Sequence, residues 1–146
     1  MSRVMHRLVH TGNAVGVSLY RRSRGRIGGR GAGGVRVLLL TVPGRRTGLP
    51  RTTAVGYFAH EGGYLVVGSG GGMDHDPDWF KNLRKASVAM VQIGSGTFPA
   101  SVRVLTGEER DTAFRDVVVA QVQRFADYEA KSGRTMPLAL LTPLPA

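Results

Sequence analysis

The spacing of hydrophobic positions changes along this chain, and the changes mark its elements. Residues 3–20 place Val4, Met5, Leu8, Val9, Val15 and Leu19 near helical spacing, with Gly12 and Gly16 as interruptions, which predicts an N-terminal helix. The tract RRSRGRIGGRGAGG that follows has no apolar period and reads as a mobile connector without core residues. From Val35 the pattern is that of strands. VRVLLLTV and TTAVGYFA form a pair across a turn, YLVVGS follows an EGG turn, and ASVAMVQI and TFPASVRVL flank a GSG hairpin turn. In the last of these Phe98, Ala100, Val102 and Val104 alternate with Thr97, Pro99, Ser101 and Arg103, the period of a strand with one buried face.

Five strands are expected on this pattern, with TMPLALLTPL as a last strand or an extended tail. Two helices interrupt them. PDWFKNLRK opens with proline and acid and ends with arginine and lysine, which suits the helix dipole at both ends. TGEERDTAFRDVVVAQVQRFADYEA has Thr106 and Glu109 at capping-box spacing, then Phe114, Val117, Val118, Gln121, Val122 and Phe125 along one face, which predicts a single long helix. Short antiparallel strands with late helices point to an α+β, mainly β fold: a small barrel or a curved sheet. The division expected is a basic N-terminal helix and connector over residues 1–34 and a β domain over 35–146.

Composition narrows the chemistry. With 146 residues one domain is expected, and the absence of cysteine removes disulfides, thiolate catalysis and cysteine-based metal sites. The N-terminus has no sustained apolar stretch, so a soluble, cytoplasmic protein is the expectation. Charge is more informative. Twenty Lys and Arg oppose ten Asp and Glu, and residues 1–60 contain eleven arginines and no acid, so the whole excess lies there. That asymmetry fits an anionic partner such as nucleic acid, acidic lipid or a phosphorylated small molecule, although arginine-rich composition also follows from GC-rich coding.

Two stretches carry candidate chemistry. The turn TVPGRRTGLPR brings Arg45, Arg46 and Arg51 onto a hairpin shaped by glycine and proline, where guanidinium forks and backbone N–H groups can converge on one anion. The alternative is a solvated hairpin tip whose charges discourage edge aggregation. In GSGGGMDHDPDWFKNL, Ser69 and Gly70, Gly71 and Gly72 lie between a strand and a helix, so bare backbone can approach a planar or anionic ligand. GRGAGG matches a dinucleotide fingerprint, but its predicted strand follows instead of preceding it, which excludes that reading. The acids and histidine of DHDPD lack a distal ligand at a recognised spacing, so no metal site is expected. His6, His10, His60 and His75 are scattered and no G-x-S-x-G element is present, so no nucleophilic triad emerges. A basic cradle, a glycine loop and the aromatics Tyr57, Trp79, Phe80, Phe125 and Tyr128 suit a protein that orients a cofactor.

These ordered motifs, with FPASVRV, GEER, FADY and RTMPLALL, resemble the deazaflavin-dependent nitroreductase family of actinobacteria, which uses coenzyme F420. The likeness covers roughly Val35 to Leu144. It implies a split β-barrel of the FMN-binding type, with Arg45, Arg46, Thr47 and Arg51 on the coenzyme's phosphate and polyglutamate tail. It also implies that Ser69, Gly70, Gly71 and Gly72 lie along the deazaflavin ring, with Trp79 and Asn82 in the adjoining element. Phe125 and Tyr128 fall where the family places substrate-facing aromatics, and Ser69 and Tyr128 are the implied proton sources. Two positions depart from the family: Gly70 stands where a lysine is common, and Phe125 where a tyrosine occurs. The implied reaction is hydride transfer from the reduced coenzyme to a quinone, an activated alkene or a nitroaromatic. The alternatives are FMN or haem in the same barrel. Nucleic acid is disfavoured because the aromatics lie in the charge-balanced part of the chain. Peripheral membrane contact through the basic N-terminal helix is compatible with the charge pattern, and the expected state is a monomer or homodimer.

Overall fold

In the computed structural model, which describes residues 14–31 and 34–145, the alternating segments pair as antiparallel strands. They are β1 (Arg36–Pro43), β2 (Pro50–His60), β3 (Gly63–Val67), β4 (Val88–Ile93), β5 (Gly96–Val104) and β6 (Leu138–Pro143). The order β1-β2-β3-β6-β5-β4 closes into a barrel through Leu39↔Gln92, Leu40↔Val91 and Thr41↔Met90. Closure leaves no long free edge. The segment read as either strand or tail is β6, the sixth strand. It bridges β3 and β5, so without it the barrel would open.

The barrel interior holds Leu38, Leu40, Val55, Val66, Val91, Ala100 and Leu141, and the alternation at Phe98, Val102 and Val104 points into it as expected. Phe80 and Leu83, fully buried on helix α2 (Asp78–Arg84), pack into the same core. Strands β3 and β6 are almost continuously apolar because their outer faces are covered too. Leu65, Val67, Leu138 and Leu140 pack there against Ala113, Phe114 and Val118.

Those three residues belong to a helical segment that differs from the single helix expected. It divides into α3 (Gly107–Ala113), a π-helical stretch (Phe114–Val119) and α4 (Arg124–Ser132), with a break at 122–123. The wider π turn lets Phe114 and Val118 stay on the barrel, while the break re-aims α4 so that Phe125 meets Phe58 edge-on at 5.9 Å. The expected capping box is also absent. Thr106 occupies the N-cap without a side-chain hydrogen bond, and Glu109 instead pairs with Arg103. Buried Arg110 ties the pieces together, donating to Glu129 Oε2 at 2.6 Å and twice to the Met136 carbonyl, with its guanidinium 4.3 Å from the Phe114 ring centre.

Residues 14–23 form helix α1; the earlier part of the predicted helix lies outside the described residues. Val17 and Tyr20 pack on Leu39, and the Tyr20 hydroxyl accepts from Gly94 N (2.9 Å) while facing the carbonyls of Val37 (3.0 Å) and Gln92 (3.3 Å). Burial raises the pKa of this phenol above its ordinary value. The connector beyond it is packed against the barrel, contrary to the mobile tract expected. Gly25 N donates to Tyr20 O, Val37 N donates to Gly29 O, and Arg30 bridges to Arg36. A Cβ on Gly29 would sit 2.0 Å from Gly25 O, so its glycines permit close packing that the sequence disguises as flexibility.

Candidate functional site

The hairpin joining β1 and β2 is built as its glycines and prolines suggest. Gly44 N donates to Leu49 O and Gly48 N to Gly44 O, both at 2.8 Å, Gly48 takes a positive φ of 74°, and Pro43 pairs with Pro50 below the turn. Helix α2 fixes one side of it. Buried Asn82 presents Oδ1 to Arg45 N (3.1 Å) and Arg45 Nη1 (2.8 Å), while Arg45 Nη2 reaches Asp78 Oδ1 at 3.2 Å. Arg45 is therefore a joint between hairpin and helix. Arg46 and Arg51 differ: among the described residues their guanidinium groups have no hydrogen-bonded or ion-paired partner.

An open cleft of about 1060 Å³ lies beside this hairpin. One wall is Arg45, Arg46, Thr47 and Arg51, and a second is Asp78, Trp79, Lys81 and Asn82 from α2. The third wall comes from α1, with Ala14, Val17, Ser18, Arg21 and Arg22. Sequence reasoning placed the first wall and part of the second but missed Lys81, Arg21 and Arg22. The signal was present in the acid-free arginine run, although nothing local said that it folds back on the hairpin.

The glycine loop forms a separate corner. Gly68 leaves β3 with its N–H on Pro137 O, and a Cβ there would stand 2.9 Å from the Phe80 ring. Gly70, Gly71 and Gly72 all take positive φ, between 56° and 89°, in a turn closed by Gly72 N on Ser69 O. Arg134 holds this loop from outside. Its Nε donates to Met73 O (3.1 Å), Nη1 to Gly68 O (3.2 Å) and Asp76 Oδ1 (2.7 Å), and Nη2 to Ser69 O (3.0 Å). Asp76 in turn pairs with Arg84 at 2.8 Å. Tyr128 packs over Gly72, and its ring meets Phe125 edge-on at 5.9 Å.

Ser69, the three glycines, Phe125 and Tyr128 are thus gathered as one group, while the arginines, Thr47, Trp79 and Asn82 form another. The two meet through α2, where Trp79 lines the cleft and its neighbour Phe80, 5.5 Å away between ring centres, lies under Gly68. The acids of DHDPD serve this framework: Asp78 holds Arg45, Asp76 holds Arg134 and Arg84, and Asp74 contacts His75. The hydrogen bond from His75 keeps the Asp74 carboxyl below its ordinary pKa. Arg134 opens the RTMPLALL motif, but its hold on the glycine loop had no signal in the sequence, because three of its acceptors are backbone carbonyls more than sixty residues away.

A six-stranded barrel with such a cleft at one end defines a split-barrel protein of the kind that carries flavin-like cofactors, as the resemblance implied. The model of the F420H(2)-dependent quinone reductase family matches residues 14–143, and the chain belongs to that family. A Mycobacterium tuberculosis protein named F420H(2)-dependent quinone reductase is 31% identical over 127 residues, covering 86% of this chain and 85% of the relative. A solved structure of an F420-H2 dependent reductase superposes with a TM-score of 0.64 at 28% identity, covering 72% of this chain and 92% of the other. A second, described as a domain-swapped dimer, gives the same score and identity over 72% of this chain and 78% of its own. The protein is accordingly an oxidoreductase whose cofactor is coenzyme F420, with quinone as its family's acceptor. The deazaflavin resemblance read from the motifs is borne out, and quinone is the first of the three acceptors that it implied. Among the described residues no helix is long and apolar enough to cross a membrane.

Proposed function

We propose that this chain binds reduced F420 with its anionic chain in the arginine cleft and its ring along the Ser69–Gly72 loop, and reduces a quinone held beside Phe125 and Tyr128. The observation that carries the reading is the state of Arg46 and Arg51, two cations without a side-chain partner among the described residues, in a cleft whose lining carboxylate, Asp78, is engaged by Arg45. The residues fit the coenzyme at both ends. Guanidinium forks suit phosphate and carboxylate oxygens. At the loop, a Cβ on Gly71 would meet nothing within 4 Å, so its backbone faces open space into which a flat ring can come close.

Bound reduced F420 supplies the hydride. The chain's own part is positioning and proton delivery. Asn82 and Asp78 hold Arg45 and with it the hairpin, Arg134 sets the loop, and Trp79 spans the distance between the two groups. Quinone reduction to the hydroquinone takes up a hydride and one proton, and in this reading the hydroxyl of Ser69 or Tyr128, or a water, delivers that proton. Most of the acceleration comes from holding the two rings together.

The test is a fluorescence titration of the protein with F420 and, separately, FMN, in the wild type and in Arg46→Ala/Arg51→Ala. Losing two charge-assisted contacts at exposed positions is expected to weaken F420 binding by roughly ten- to a hundredfold with thermal stability unchanged. Wild-type protein that prefers FMN, or a double variant that binds F420 as tightly as wild type, would overturn the assignment.

A further inference from the structure

The connector after α1 brings two like charges together. Arg30 and Arg36 face each other in an isolated antiparallel bridge, flanked by Gly31 N on Val35 O (2.7 Å) and Val37 N on Gly29 O (2.9 Å). They are therefore a non-hydrogen-bonded pair, the closer of the two antiparallel geometries, with Cα atoms roughly 4.5 Å apart and side chains leaving on one face. Like charges directly opposite each other destabilise such a pair. Neither guanidinium has a hydrogen-bonded or ion-paired partner among the described residues, so the chain itself does not offset the repulsion.

Arg36 opens β1 and pairs with Tyr57 near the end of β2, whereas the hairpin of the coenzyme cleft follows the other end of β1. A groove of about 500 Å³ lies here between connector and barrel, and it shares no lining residue with that cleft. Exposed Arg26, Arg30 and Arg36 form its rim, no acid lines it, and Val37, Tyr57 and Ile93 supply an apolar floor. Its connector wall is held close: a Cβ on Gly25 would stand 2.9 Å from Gly94 Cα. A carboxylate would bring one negative charge to three cations, while a phosphomonoester brings nearly two and three acceptor oxygens, enough to take a fork from Arg30 and from Arg36 at once. A bare ion would leave the apolar floor unused. We infer that this groove is a second anion site, separate from the coenzyme's, for a phosphomonoester of mononucleotide size. Its phosphate sits between Arg30 and Arg36 with Arg26 beside it, and its body lies over Tyr57 and Ile93. The inference stands on the groove alone and does not require the F420 reading.

The experiment is equilibrium dialysis of the full chain against AMP and against adenosine, in the presence of excess F420 so that the cleft is occupied. The wild type is compared with Arg30→Gln/Arg36→Gln, with Arg26→Gln, and with Arg46→Ala/Arg51→Ala, which alters the cleft alone. Wild-type protein is expected to bind one AMP at roughly 1 mM or below despite the F420, and adenosine far more weakly. Arg30→Gln/Arg36→Gln should lose about tenfold or more in AMP affinity, Arg26→Gln less, and Arg46→Ala/Arg51→Ala nothing. Thermal melting without ligand gives a second reading: Arg30→Gln/Arg36→Gln should melt no lower than the wild type, because it removes a repelling pair. AMP that is displaced by F420 or lost in Arg46→Ala/Arg51→Ala would place the anion in the coenzyme cleft and overturn the second site. So would adenosine binding as tightly as AMP, or AMP affinity that is the same in the wild type, Arg30→Gln/Arg36→Gln and Arg26→Gln. Should the double variant fail to fold, the pair is structural and its repulsion no argument for a ligand, and Arg26→Gln then decides the site by itself.

Discussion

The arginines of this protein fall into two populations. After residue 60, Arg84, Arg103, Arg110, Arg115 and Arg134 each reach a carboxylate, Arg110 and Arg134 also bind backbone carbonyls, and exposed Arg124 is the exception, with no side-chain partner among the described residues. Before it, Arg22, Arg24, Arg26, Arg30, Arg36, Arg46 and Arg51 have no hydrogen-bonded or ion-paired side-chain partner among the described residues. Among the described residues before it only Arg45 reaches an acid, and it does so across 33 positions to Asp78. The difference teaches what each population is for. Where an arginine holds the fold, the chain supplies its counter-charge; where it does not, the field is left open to a ligand. Removing a buried member of the first group, Arg110 or Arg134, should cost stability, and removing one of the second should cost binding.

The largest effect is expected at Arg110. Alanine there strips Glu129 Oε2 and the Met136 carbonyl of their donor where α3, α4 and the approach to β6 meet, and should lower unfolding free energy by about 2–4 kcal/mol. Glu129 keeps the Met136 N–H at 2.9 Å and is partly exposed, which holds the loss below that of a fully buried pair. Urea unfolding measures it. A change below about 0.5 kcal/mol, the range of ordinary surface substitutions, would erase the distinction between the two populations.

Arg134→Ala should sit between the extremes because Arg134 supports the fold and the candidate site together. Loss of its bonds to Gly68, Ser69 and Met73 carbonyls is expected to cost about 1–2 kcal/mol, since Ser69 and Met73, half-buried unlike Gly68, recover water. The loop that it sets should loosen, so affinity for the bare deazaflavin ring should fall. Lysine at 134 supplies a single point donor and should restore only part of the loss. Unchanged ring affinity in Arg134→Ala would separate the glycine loop from the coenzyme.

What could be read in advance follows from how local each signal is. Strand β5 was legible because Phe98, Ala100, Val102 and Val104 declare their buried face by alternation, and the hairpin at Gly44–Leu49 because its own glycines and prolines shape it. The break at 122–123 was not, because Phe114 to Phe125 satisfy one helical stripe equally well without it. The packed connector was misread since glycine signals freedom and close approach alike, and only the Gly29–Gly25 contact decides between them. Arg45, Arg46 and Arg51 were visible as a cluster. Arg21 and Arg22 needed Tyr20 to be seen against Gly94, 74 residues away, before their place on the cleft could be known.

Salt gives the smallest effect and divides the populations by sign. The formal net charge is +10, and seven of the described arginines before residue 60 have no side-chain partner among the described residues and repel one another in the folded state. Raising ionic strength from about 20 to 300 mM shortens the Debye length to roughly 6 Å, which should screen that repulsion and raise the melting temperature by roughly one or two degrees. The paired arginines work against this rise only weakly, because exposed pairs such as Arg115–Asp116 contribute little to stability at any salt. The same screening acts on the cleft in the opposite direction, and F420 affinity should fall by roughly tenfold over the same range. A melting temperature that drops with salt would mean that the paired arginines dominate the electrostatics of folding. An affinity that does not change would mean that the unpaired ones face no anion.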